Sequence, residues 1–327
     1  MERVSSDEAN GKHRVAVIGA GSTGSSWAGL FAAHGLSVTL YDARPEAAAM
    51  GLDRARRAAR FLAARGLADR ERVAEGLSQI RHESALQGAV DGVFLVQEAV
   101  TDDLSVKKGL FASVSRLTDD DTLIATSTSG LSISAIQQDA HLPGRTLAAH
   151  PYNPPHLIPL VEIAAGRMTT AGSIEAASAF YRGLGKEVVL LRDDVPGYIA
   201  NRLSAALWRE AVDLVLTGVA TVEEVDRAVR TGPGLRWAAM GPHLVYHLGG
   251  GPGGIRGHLA HLTGTKEAML RDLATWTSFP AETADVLANG LAPEIGDRSI
   301  DELEELRDET LAALLDALRH VNGPPEG

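Results

Sequence analysis

The chain has 327 residues, 45% apolar and 22% charged, with a formal net charge of −11 from 42 acidic and 31 basic side chains. That length suits about two globular domains, and the acidic balance argues against a general nucleic-acid partner, which needs a basic face. No cysteine is present, which excludes disulfides, a thiolate nucleophile and cysteine-type zinc sites and is compatible with the cytoplasm.

Residues 1–12 are polar and mixed in charge, so they read as a disordered start rather than a signal peptide or anchor. The last six residues, NGPPEG, read as a frayed tail. No apolar run approaches the roughly 20 residues of a membrane span, so no membrane partner is expected. The run RVAVIG (14–19) reads as a buried strand, and GAGSTGSSWAGLFAAHG after it as a glycine turn opening a helix. LSVTLYD (36–42) is the next strand, and residues 43–75 read as a helical pair. DGVFLVQEAV (91–100) reads as a strand into a turn and TLIATSTS (122–129) as a strand, with the helix DLSVKKGLFASVSRL between them. A helix over LSISAIQQDA, a strand over TLAAHP (146–151), a strand over VEIAAG (161–166), a helix over IEAASAFYRGL and a strand over KEVVLLRD (186–193) follow. This alternation means a doubly wound, mostly parallel sheet covered on both faces. Beyond residue 192 the periods are helical, broken by glycine-rich loops. The expected organisation is a Rossmann-type α/β domain over 13–192 and an all-helical domain over 193–327.

Gly19, Gly21 and Gly24 form G-x-G-x-x-G between a strand and a helix. Gly19 allows the tight turn, Gly21 lets backbone approach a pyrophosphate, and Gly24 lets helix and strand pack closely. Ser22 and Thr23 lie in the same turn, where free N–H groups can meet phosphate. FAD would use the same fingerprint, so the loop alone leaves the cofactor open. Asp42 ends the second strand, 23 residues after Gly19. Its carboxylate suits ribose hydroxyls and repels a 2′-phosphate, which favours NAD over NADP.

The segment LAAHPYNPPHLIPLVEI (147–163) is stiff and apolar yet holds His150, Asn153 and Glu162. Its first strand delivers His150 to the carboxyl edge of the sheet, where open α/β sheets bind ligands. Glu162 lies 12 residues on, at the start of a returning strand. A carboxylate on one imidazole nitrogen fixes the tautomer and leaves the other as a base. The bland alternative is a satisfied core histidine.

Glu98 in VQEAV, Ser129 in STSGL, His150 and Asn153 in HPYNP, Glu162 in PLVEI and Asn201 in PGYIANR follow the glycine loop in an order and spacing that resembles the L-3-hydroxyacyl-CoA dehydrogenase family. HPYNPPHLIPLVEI and GPGLRWAAMGP are similar to the branch holding lambda-crystallin, L-gulonate 3-dehydrogenase and L-carnitine dehydrogenase. The resemblance implies NAD as cofactor, His150 as general base, Glu162 orienting it, Ser129 and Asn201 on the substrate oxygen and Glu98 near the nicotinamide. It also implies a homodimer through the helical domain. Ser129 could instead cap the following helix, and Glu98 could be a turn residue. The favoured substrate is a small free 3-hydroxy acid, carnitine-like first, with a CoA thioester or L-gulonate as alternatives. Aromatic residues of the later part of the chain, Tyr198 and Trp237 among them, could hold a quaternary ammonium, and Asn153 could touch substrate. A catalytic-lysine hydroxyacid dehydrogenase is disfavoured, because YIANRLSAALWREAVDLVL has no lysine. A non-enzymatic, crystallin-like role is the other alternative. No metal is expected.

Overall fold

The computed structural model describes residues 14–322, so the expected disordered start and most of the expected frayed tail lie outside the described residues. The chain divides into two compact units, Met1–Arg202 and Leu203–Gly327.

The first unit is built on one eight-stranded sheet of order β3-β2-β1-β4-β5-β6-β7-β8. β1 (Arg14–Ile18) leads into α1 (Ser22–Ala33), and β2 (Ser37–Tyr41) into α2 (Pro45–Ala64) and α3 (Arg70–Gln79). β3 (Arg81–His82), α4 (Leu86–Val90), β4 (Leu95–Glu98) and α5 (Leu104–Leu117) follow. Then come β5 (Leu123–Thr126), the single turn α6 (Ile133–Ile136), β6 (Thr146–Pro151), β7 (Leu160–Ala165), α7 (Ala171–Gly183) and β8 (Glu187–Leu190). All neighbouring strands pair in parallel except β6 and β7, which are antiparallel.

Alternate strand residues feed two cores, as the period of two requires. On one face Ile18, Val96, Ile124 and Ala148 pack against Phe111 and Val114 of α5 and Ile133 and Ile136 of α6. On the other, Trp27 and Phe31 of α1 stack with Phe180 and Tyr181 of α7. The sheet is therefore wound on both sides, as the alternation of strands and helices requires.

Three local readings differ. The strand into a turn expected over 91–100 has its strand part only at Leu95–Glu98, with residues 91–94 ahead of it. The helix expected over LSISAIQQDA is one α turn followed by a 3-10 turn, Gln137–Asp139. Gln137 is fully buried there and donates to Pro143 and Thr146 instead of continuing a helix face. β3 was not expected; its two residues, Arg81 and His82, are exposed and carry no apolar signal.

The second unit is helical. The 17-residue α8 (Ala200–Leu216) crosses the division and is followed by α9 (Val222–Thr231), α10 (Pro233–Ala239), α11 (Pro242–Leu248), α12 (Gly254–Asp272), α13 (Thr283–Ile295) and α14 (Ile300–Asn322). Within it Asp213 accepts from Trp276 Nε1 at 3.0 Å, and Trp208 meets Phe279 edge-on at 5.1 Å.

A buried polar chain ties the second core of the sheet to its carboxyl edge. The Tyr181 hydroxyl donates to Gln97 Oε1, Gln97 Nε2 donates to Ser127 Oγ at 2.8 Å, and Trp27 Nε1 donates to the same oxygen at 3.2 Å. Tyr181→Phe leaves the buried Gln97 carbonyl without its donor. It should lower stability by about 1–3 kcal/mol in urea unfolding; an unchanged midpoint would show that the chain is slack.

Candidate active site

The glycine turn is held by backbone contact. Gly19 has a φ of +100°, and a Cβ there would lie 2.5 Å from the Ala99 carbonyl oxygen. A Cβ on Gly24 would lie 1.8 Å from the Gly19 carbonyl oxygen, so any side chain would force helix and turn apart. Gly21 differs, because nothing lies within 4 Å of where its Cβ would be. That side is open, and no side chain caps α1, so the N–H groups of Ser22 and Thr23 suit a phosphate. Asp42 Oδ2 accepts from Ala20 N at 2.9 Å, and Oδ1 accepts from Arg44 N at 3.0 Å. Partial burial opposes ionisation of Asp42. The two N–H groups and the Arg44 guanidinium outweigh it and hold the carboxyl below its usual range. The turn, its open face and the ionised carboxylate fit a dinucleotide without a 2′-phosphate.

β6 and β7 bring His150 and Glu162 directly opposite one another in the antiparallel register. Directly paired residues on one face are side-chain neighbours. His150 Nδ1 lies 3.0 Å from Glu162 Oε2, and both side chains are buried. The other carboxylate oxygen, Oε1, accepts from Ile199 N at 2.8 Å and Ala200 N at 3.0 Å. Glu162 thus sits at the start of α8, where free N–H groups and the helix dipole favour negative charge. Burial alone would raise the pKa of Glu162, but the hydrogen bonds from His150, Ala200 and Ile199 prevail and lower it.

The same helix start supplies Asn201, whose Nδ2 lies 3.3 Å from His150 Nε2. Ser129 Oγ approaches that nitrogen to 3.3 Å from the turn after β5. An amide N–H can only donate, so this arrangement suits a ring with its proton on Nδ1 and a lone pair on Nε2. A pocket of about 300 Å3 opens in front of Nε2. Ser129, Asn201, Thr23 and Asn153 face it, and Ser127, Pro151 and Tyr152 complete the wall. Thr23 Oγ1 donates to Asn153 Oδ1 at 3.3 Å, so the glycine turn and the HPYNP segment share one edge.

Two further contacts hold the segment between His150 and Glu162. His156 N donates to Ser26 Oγ at 2.8 Å, and His156 Nδ1 lies 2.8 Å from the same oxygen. The buried Lys186 ammonium donates to the carbonyls of Pro155 and Ile158 and lies 5.4 Å from the Trp27 ring. Burial pushes its pKa down to about 7.

The remaining residues singled out from the sequence lie apart from this pocket wall. Glu98 is 1% exposed at the end of β4, paired with Lys107 Nζ at 2.6 Å and accepting from Val100 N and Thr126 Oγ1, each at 2.6 Å. Burial pushes its carboxyl up, and the Lys107 ammonium opposes that. Tyr198 is 1% exposed, with its ring 4.9 Å from that of His150. Its φ of +48° costs a non-glycine residue about 1–2 kcal/mol. Trp237 belongs to α10 of the second unit, where it is 37% exposed. Sequence reasoning missed Lys107, Asp102 and Tyr152. Lys107 had a signal: Phe111, Val114 and Ser115 are buried at i+4, i+7 and i+8 from it, so it occupies a core position of α5.

The NAD-binding domain of 3-hydroxyacyl-CoA dehydrogenase matches residues 14–195, and its C-terminal domain matches residues 197–288. The chain belongs to the 3-hydroxyacyl-CoA dehydrogenase family. It is an NAD-dependent oxidoreductase acting on a CH–OH group. It is 40% identical over 310 residues to an L-carnitine dehydrogenase of Pseudomonas sp., covering 93% of each chain. It is also 40% identical over 320 residues to an L-carnitine dehydrogenase of Streptomyces griseus, covering 95% of this chain and 91% of that one. Among solved structures, an NAD+-dependent dismutase, 5-formyl-3-hydroxy-2-methylpyridine 4-carboxylic acid 5-dehydrogenase, superposes with a TM-score of 0.80 at 29% identity. That match covers 95% of this chain and 99% of the other. M. tuberculosis FadB2 matches with a TM-score of 0.66 at 28% identity over 85% of this chain and 94% of its own. No helix among the described residues is long and apolar enough to cross a membrane, and none of their acidic and histidine side chains form a metal-binding group.

The Glu162 contacts carry a sign in pH. Its folded pKa is lowered, so its stabilisation is present above the ordinary value of 4.5 and is lost as pH falls through the lowered value. Glu162→Gln removes that titration. Its unfolding free energy should therefore decline less steeply than wild type on acidification below pH 4.5. Parallel pH profiles from urea unfolding would contradict the assignment.

Proposed function

We propose that the protein oxidises the 3-hydroxyl of a small, free 3-hydroxy acid, L-carnitine first, to the 3-oxo acid. One observation carries the reaction: His150 Nε2 faces a pocket while Nδ1 is engaged by a buried carboxylate. His150 is the general base that takes the hydroxyl proton at Nε2. Glu162 fixes the tautomer and stabilises the imidazolium once the proton has moved. Ser129 Oγ and Asn201 Nδ2 hydrogen-bond the substrate oxygen and hold it against Nε2. Gly19, Gly21, Ser22, Thr23 and Gly24 cradle the dinucleotide phosphates, Asp42 takes the ribose hydroxyls, and Glu98 flanks the nicotinamide end. With NAD bound, the nicotinamide supplies the hydride acceptor.

The free-acid reading is supported by the L-carnitine dehydrogenases at 40% identity and by the pocket wall, which includes no lysine or arginine for the phosphates of CoA. Tyr152 is the aromatic side chain in that wall, and an aromatic face attracts a quaternary ammonium. Asn153 lies beside it to orient the substrate. Tyr198 serves from behind the His150 ring rather than as an ammonium contact. A homodimer through the helical unit is supported by apolar side chains it leaves uncovered. Ile255, Leu259, Leu262, Met269 and Leu270 are all exposed on α12. Leu203 and Leu207 are exposed at i, i+4 spacing on α8.

The test is an NAD-reduction screen of L-carnitine, L-gulonate, 3-hydroxybutyrate and 3-hydroxybutyryl-CoA. L-carnitine should give the highest kcat/KM, NADP should replace NAD poorly, and His150→Gln should lower kcat by roughly 10²–10⁴. A CoA thioester that outruns every free acid would overturn the substrate reading. Wild-type turnover in His150→Gln would overturn the base.

A further inference from the structure

Ser129 lies outside regular structure, in the turn between β5 and α6, and is itself exposed. Something must hold its hydroxyl against His150. Several N–H groups around it are engaged. Ser127 N donates to the Glu98 carbonyl at 2.8 Å, Thr128 N to Thr126 Oγ1 at 3.1 Å and Leu131 N to Thr128 Oγ1 at 3.1 Å. Ser129 N donates to a side chain from another part of the chain, Asp102 Oδ2, at 3.1 Å. The Ser129 carbonyl accepts from Gly197 N at 3.1 Å.

Asp102 is in turn held by a lysine. Its other oxygen, Oδ1, lies 3.3 Å from Lys107 Nζ. Lys107 is 1% exposed and also donates to Glu98 Oε1 at 2.6 Å and to the Val100 carbonyl at 3.1 Å. The ammonium thus has two hydrogen-bond acceptors, Glu98 at the end of β4 and the Val100 carbonyl, and an ion-pair contact with Asp102. A buried ammonium held in this way is a firm anchor, because releasing its carboxylate contacts would leave charge unpaired in a low dielectric.

We propose that Asp102 is a positioning residue for the reaction. Anchored by Lys107, it tethers the Ser129 backbone and so sets the distance from Ser129 Oγ to His150 Nε2. The chain of contacts runs from Glu98 through Lys107, Asp102 and Ser129 to His150, linking the cofactor edge of β4 to the base. The proposal rests on the role given above to Ser129 in holding the substrate oxygen. Asp102 meets the pocket wall at the Ser129 N–H and makes no hydrogen bond to His150. Its effect passes through the Ser129 backbone. The Asp102 side chain is 43% exposed, so its replacement spares the core.

The experiment compares the full-length wild type with Asp102→Ala, Asp102→Asn, Ser129→Ala and the double variant Asp102→Ala/Ser129→Ala. Asp102→Ala should lower kcat about tenfold to a hundredfold, the scale of a misplacement near 1 Å, with KM for NAD unchanged. Asp102→Asn, whose single oxygen can serve Lys107 or Ser129 but not both, should fall between it and wild type. In the Ser129→Ala background, Asp102→Ala should cost nothing further, because the oxygen it positions is already gone. Amide hydrogen exchange without substrate should show the Ser129 N–H protected in wild type and faster in Asp102→Ala. Wild-type kcat in Asp102→Ala, losses that multiply in the double variant, or an unchanged Ser129 exchange rate would each overturn the proposal. A wild type that oxidises none of the 3-hydroxy acids would defeat the proposed reaction, while the exchange rate still decides the tether.

Discussion

The Glu162 carboxylate is the contact on which the site depends. One oxygen meets His150 Nδ1, and the other accepts the Ile199 and Ala200 N–H groups at the start of α8. A carboxylate that accepts several N–H bonds stays ionised even when buried. Its charge is therefore available to orient the imidazole. Because the same group caps α8, the helix start is fixed relative to the His150 ring. Asn201 follows one residue later and reaches Nε2. Tyr198 precedes the two N–H groups with a positive φ and lays its ring beside that of His150. That backbone cost is met by the hydrogen bonds that follow it in the chain.

The sheet explains why this pair can exist. Parallel strands cannot place two residues 12 apart directly opposite, since a parallel return needs a crossover. β6 and β7 are the antiparallel pair in the described sheet, and Tyr152 and Asn153, at the start of the segment between them, line the pocket. That segment is fastened to α1 by Ser26 and Thr23 and to β8 by Lys186. The glycine turn and the HPYNP segment are thus mounted on shared hydrogen bonds. A site held on strand ends and a capped helix start keeps its geometry better than one on free loops.

Much of this was legible in the sequence, for local reasons. The glycine turn is set by steric demands that only glycine meets, as the Gly19 and Gly24 contacts show. His150 and Glu162 were legible because both fall in short apolar runs where a polar side chain needs a partner. The family resemblance added Ser129, Asn201 and Glu98, which composition and spacing alone would have left as a cap, a helix start and a turn. Other features depend on long-range contacts and left little trace. Asp102 sits in an exposed acidic stretch, and its partner Ser129 lies 27 residues away. Tyr198 reads as an aromatic free for a ligand, but its backbone conformation turns it beneath the His150 ring. Tyr152 stands between two residues that drew notice and was passed over, because a single aromatic has no period. The two-residue β3 has no apolar pattern to announce it.

The central claim is that Glu162 holds the His150 proton on Nδ1 and leaves Nε2 as the base. The most direct measurement is the nitrogen-15 spectrum of the His150 ring in the unliganded protein at neutral pH. The account predicts a protonated, pyrrole-type Nδ1 and a pyridine-type Nε2, with that preference lost in Glu162→Gln. A neutral ring protonated on Nε2 in the wild type would contradict it.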